Sequence, residues 1–84
     1  MDNVNTDNVD VAALNLINYQ GYDIFYSVIS EKHGSRVWTR YNIYIAHNLD
    51  FECIGAIVCP NPITSLELTL RAYNVLKIHN RGAA

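Results

Sequence analysis

Alternation of apolar and polar positions is clearest between Arg36 and Ala46, RVWTRYNIYIA. Val37, Thr39, Tyr41, Ile43 and Ile45 fall on one side of an extended chain. Arg36, Trp38, Arg40, Asn42 and Tyr44 fall on the other. β-branched and aromatic residues fit a pleated, half-buried surface, so this stretch is expected to be the central strand of a sheet. One side reads as core. The other reads as solvent-facing, yet carries a Trp and a Tyr.

Two flanking stretches share the period. Tyr22 to Ser30 places Tyr22, Ile24, Tyr26 and Val28 on one side and Asp23, Phe25, Ser27 and Ile29 on the other. Phe51 to Cys59 is a third strand, and Gly55 in its middle predicts a bulge or a close approach by another backbone. The polar run Glu31 to Ser35, with Gly34 at a position suited to positive φ, has the size of a hairpin connection. His47 to Asp50 makes a second turn, and Pro60-Asn61-Pro62 ends the third strand.

Outside the strands the spacing becomes helical. Asp7 is a candidate cap, Asp10 lies in the first turn, Val11, Leu14 and Ile17 recur on one face, and Gly21 is a stop. A first helix is expected from about Asn8 to Tyr19. Thr64-Ser65-Leu66-Glu67 has the capping-box pattern and opens a second helix that runs to about His79. Glu67 and Arg71 are spaced for an i,i+4 pair. This helix has a narrow polar stripe of Glu67, Arg71, Asn74 and Lys77. Its apolar arc spans Leu66, Leu68, Leu70, Ala72, Tyr73, Val75 and Leu76. That arc is wider than one sheet face requires. The first helix or a second copy of the chain is expected to cover the excess.

These elements define an α+β fold of order αβββα. It is a three-stranded antiparallel β-meander with an N-terminal and a C-terminal helix packed on one face. Residues 1–84 are expected to form one small domain, with 1–6 frayed at the start. Tyr41, Ile43, Leu70 and Tyr73 are expected to share its core.

Composition adds limits. The charged fraction is 17%, low for a small soluble monomer, and this favours a covered surface or a homodimer. The net charge of -2 argues against a protein that lives by neutralising phosphates. Residues 1–23 carry Asp2, Asp7, Asp10 and Asp23 without a base, and the remainder sets six basic residues against four acids. Cys53 and Cys59, on one strand, would lie about 20 Å apart. That is beyond disulfide reach, so both are expected as free buried thiols in a reducing cytosol. No signal-peptide pattern and no apolar run of membrane-spanning length is present, so a cytoplasmic protein is expected.

The αβββα order resembles the double-stranded-RNA-binding domain. That family places lysines at the start of its last helix, where this chain reads Thr64-Ser65-Leu66-Glu67. RNA binding is therefore not carried over. Size, acidity and strand content also resemble small phage accessory proteins, among them anti-CRISPR inhibitors.

Candidate chemistry is sparse. His33, His47, His79, Cys53 and Cys59 have none of the paired spacings of a metal site. There is no phosphate-binding glycine loop, no nucleophile elbow and no pair of carboxylates on one element spaced for acid–base work. No enzyme activity, metal or cofactor is expected. Trp, Tyr and Arg are enriched at binding hot spots. The expected partner-binding set is therefore Trp38, Arg40, Tyr44 and Phe25, rimmed by Asp50 and Glu52. The function expected is a small binding protein that occupies a partner's surface, the partner being a protein or a protein–nucleic-acid complex. Its most concrete form is a phage- or mobile-element-encoded inhibitor of a bacterial machine such as a CRISPR complex, acting in the host bacterial cytoplasm. The alternative is a nucleic-acid module that uses Lys32, Arg36 and Arg40 on phosphates, with aromatic stacking beside them.

Overall fold

In a computed structural model, which describes residues 13–82, the chain forms one four-stranded antiparallel sheet and one helix. The strands are β1 (Asn15–Tyr19), β2 (Tyr22–His33), β3 (Arg36–His47) and β4 (Asp50–Cys59), followed by α1 (Ser65–Gly82). They lie side by side in chain order. The expected αβββα fold is thus corrected to ββββα. The first helix, expected over Asn8 to Tyr19, is overturned where it is described, because Asn15–Tyr19 is a strand. Its first residues, with Asp7, Asp10 and the start expected to fray, lie outside the described residues.

The physical reason lies at Gln20-Gly21. Both residues take positive φ, 53° and 80°. Such a pair forms a two-residue hairpin turn whose twist matches its strands. Gly21 therefore reverses a strand instead of ending a helix. Ile17 then pairs with Ile24 and Tyr19 with Tyr22. The other loops are equally short: Gly34 (φ 65°) opens the β2–β3 turn and Asn48 (φ 58°) the β3–β4 turn. Glu31, Lys32 and His33, expected in a loop, continue the β2 ladder to the His33–Arg36 pair.

β3 lies between β2 and β4, as its alternation requires. Its Tyr41 and Ile43 point toward α1 and join Ile24, Ile57, Cys59, Leu68, Ala72 and Leu76 in the core. The helix enters through a Thr64 cap, whose Oγ1 accepts from the Glu67 amide at 3.2 Å. The Glu67 carboxylate turns instead to Arg71, 2.6 Å away. Tyr41 hydroxyl accepts from the Ile63 amide at 3.2 Å and so ties the β4–α1 connection to the sheet.

One core expectation is corrected. Leu70 is 47% exposed. The helix is seated through Leu68, Ala72 and Leu76, spaced i, i+4, i+8, and this turns Leu70 outward. Tyr73 packs at the core's edge against Tyr19 and Tyr22. Among the described residues no second helix covers the wide apolar arc, and Leu66 and Ile78 are exposed as well. Of the thiols, Cys59 is buried but Cys53 is exposed; both are free.

Gly55 marks a close approach of sheet and helix. The β3–β4 register shifts between Ile43 and Tyr44, leaving Ile54 as a bulge residue beside it. A Cβ at position 55 would sit 2.8 Å from Val75 Cγ1. Val75 is β-branched and stiff about χ1, so it cannot swing aside cheaply. Gly55→Ala should cost about 1–3 kcal/mol in urea unfolding, the scale of an overpacked core. Combined with Val75→Ala, the loss should be smaller than the sum of the single losses. Gly55→Ala unfolding at the wild-type midpoint would contradict this seating.

Candidate interaction face

The helix covers one face of the sheet. None of the buried residues belongs to the other face. Strand parity and register place the side chains of that open face. One row crosses all four strands as Leu16, Phe25, Tyr44 and Cys53. Another runs Ile29, Arg40, Val58, and Glu31 pairs with Trp38 beyond it. Phe51, beside Ala46, stacks edge-on against Phe25 with ring centroids 5.0 Å apart. Leu16, Ile29 and Val58 are exposed aliphatics. The row Ser27, Asn42, Ala56 lies between these two rows. Large exposed apolar patches are a feature of interaction sites in general.

Polar groups at one end fix the face's geometry. Arg40 Nε donates to the Glu31 carboxylate, and His33 Nε2 donates to the other carboxylate oxygen at 3.0 Å. The His33 ring also lies 5.4 Å from the Trp38 ring, tilted by 30°. Trp38 thus sits among ordered neighbours, beside a hollow of about 270 Å³ lined by Arg36, Val37, Trp38, Pro60 and Asn61.

The structure brings together Phe25, Trp38, Arg40 and Tyr44. It does not bring Asp50 and Glu52 to them. Both follow the parity of Ile45 and His47, on the helix side of the sheet, and Asp50 Oδ1 accepts from the Phe51 amide at 2.8 Å. The basic set also splits. Lys32 pairs with Val37 on the helix side, Arg40 is engaged by Glu31, and only Arg36 stays exposed and unsplit from the aromatic face. Sequence reasoning missed Leu16, Phe51 and Val58. Phe51 and Val58 have opposite parity in the sequence, and the bulge at Ile54 is what brings them to one face.

Among the described residues no group of three His, Cys, Asp or Glu is placed to hold a metal ion. No described helix is long and apolar enough to cross a membrane. No protein-family model matches the chain, and no curated protein or solved structure matches it.

The bond from His33 and, after it, the bond from Arg40 hold the Glu31 carboxyl below its ordinary value of 4.5. Because the folded value is the lower one, this tie contributes stability above the ordinary carboxylate range. It loses that contribution as pH falls through the lowered value. An NMR titration of the Glu31 carboxyl should therefore give a midpoint below 4.5. His33→Ala and Arg40→Gln should each raise it. An unshifted midpoint in the wild type would mean the tie does not form in solution.

Proposed function

We propose that this chain is a binding protein that works by occupying a partner protein's surface with the open face of its sheet. One observation carries the reading: four aromatic side chains, Phe25, Trp38, Tyr44 and Phe51, share with exposed aliphatics a sheet face that α1 does not cover. Aromatic anchors of this kind supply most of the energy at protein interfaces. The ties around Trp38 lower the ordering cost that a mobile side chain would bring to binding. Arg40 keeps hydrogen-bonding capacity but is locally neutralised by Glu31, which suits a partner with mixed polarity more than a phosphate backbone.

The most concrete form of the proposal is a steric inhibitor of a bacterial machine such as a CRISPR complex, encoded by a phage or mobile element. Its support is the uncovered aromatic face, held in a fixed arrangement that would block a partner's surface by shape alone. Asp50 and Glu52, on the helix side of the sheet, would steer encounter at most from outside the contact.

The test compares wild type with Trp38→Ala and Phe25→Asp in affinity capture from bacterial lysate, followed by measurement of the captured partner's affinity. Trp38→Ala should weaken binding by about 2 kcal/mol or more, the scale of a buried anchor. It should leave the circular dichroism spectrum intact. Equal affinity in wild type and both variants would remove the open face as the site. A Trp38 fluorescence titration with a single-stranded oligonucleotide at two salt concentrations tests the rival directly. Tight, salt-sensitive binding would replace the protein partner with nucleic acid.

A further inference from the structure

We infer that the outer edge of β4 and the adjoining flank of α1 form a self-pairing surface that takes a second copy of this chain. The surface lies in the plane of the sheet and meets the open face only along Val58. β4 is the last strand in the sheet, so its outer backbone groups have no strand neighbour among the described residues. Those groups call for a strand partner or water. Natural edges are usually guarded by charge, proline or a bulge. Here the guards protect only the first half of β4. Asp50 and Glu52 lie before the bulge at Ile54, and the stretch Gly55-Ala56-Ile57-Val58-Cys59 carries no charge and no proline.

That unguarded stretch is symmetric in a way that favours itself as partner. It is bounded by the bulge residue Ile54 on one side and by Pro60 on the other. An antiparallel pairing of two copies about Ile57 sets Gly55 opposite Cys59 and Ala56 opposite Val58. It also sets Ile54 opposite Pro60, so neither the bulge nor the missing proline N–H is asked to join the ladder. Small residues meet larger ones. The two copies' acids fall at opposite ends of the ladder, whereas a parallel pairing would stack them. This is the same-patch-to-same-patch contact that a two-fold axis generates.

α1 flanks the same edge without closing it. A cleft of about 540 Å³ runs between them, lined among others by Ile57, Leu70, Arg71, Asn74 and Val75. Leu70 is 47% exposed, and Ile78, two turns further along the same side of the helix, is 55% exposed. The only charges lining the cleft are Glu67 and Arg71, which already pair with each other. An added strand would place one row of side chains under α1 in this cleft and the other beside Val58 on the open face. The five residues Gly55 to Cys59, at about 3.4 Å each, make a ladder of roughly 17 Å. A contact of that length with one helix flank falls below the ~1,200 Å² total of stable complexes, in the weak and transient class. A concentration-dependent dimer follows.

Sedimentation velocity over micromolar to near-millimolar chain concentration tests this. The mass should rise from 9.5 kDa toward twice that value. Leu70→Lys, at an exposed helix position where lysine is well tolerated, should raise the dimer dissociation constant by at least about tenfold. Val58→Lys, an edge charge, should do the same. Trp38→Ala should leave it unchanged. Hydrogen exchange should show amide protection within Gly55–Cys59 that grows with concentration in wild type and not in Leu70→Lys. A wild type that stays monomeric throughout overturns the proposal. So does a dimer that both lysine variants keep, or one that Trp38→Ala breaks while Leu70→Lys does not, since the second copy would then sit on the open face. Partner capture by that face is read separately, so either idea can fail without the other.

Discussion

The fold depends on how closely α1 approaches the sheet. The contact is made where side chains are smallest: Ala72 is fully buried, and Gly55 offers no Cβ to Val75. That closeness lets Leu68 and Leu76 reach Ile24, Ile43 and Ile57 and exclude water from them. Each such side chain contributes roughly 1.5–3 kcal/mol when fully buried. A chain of this length has little surplus surface burial to draw on. One helix therefore carries most of the core on its side of the sheet.

A single helix can cover only one face of a four-stranded sheet. The other face must be stable while exposed, and its stability comes from contacts between neighbouring strands. Glu31 reaches Arg40 and His33 lies against Trp38, while Phe25 reaches over β3 to pack on Phe51. Side-chain contacts of this kind favour the folded sheet. They also hold large side chains in set positions. The same contacts that keep the face folded give it a fixed shape.

Much of the sheet was legible in the sequence, because period-2 alternation is strong wherever one face is buried. Tyr41 and Ile43 declared the core side of β3, and Thr64 declared the start of α1. Gly55 announced both a bulge and a close approach, although the approaching group is the Val75 side chain and not backbone. The first hairpin was not legible. Val11, Leu14 and Ile17 mimic a helical face, and Gln20 lacks the Asn or Asp that usually accompanies Gly in a tight turn. That one misreading removed Leu16 from the open face and supplied a helix to cover Leu70. Helical spacing alone could not say which part of the α1 arc faces the sheet, since apolar residues occupy most of it. The split of Asp50 and Glu52 from the aromatic set follows from strand parity, but the bulge hides it by changing the parity halfway along β4.

The bulge also explains how one edge strand can serve two surfaces. Before Ile54, Phe51 and Cys53 point to the open face; after it, Ala56 and Val58 do. The irregularity absorbs one residue, so both halves of β4 extend the same face. It also leaves the regular half free of charge and of broken ladder geometry. Pairing along that half would lengthen the open face without covering it, because strands add in the plane of the sheet. Packing two open faces together would bury the aromatic row and leave nothing to present. Growth at the edge is therefore the mode of self-association compatible with a face that binds something else.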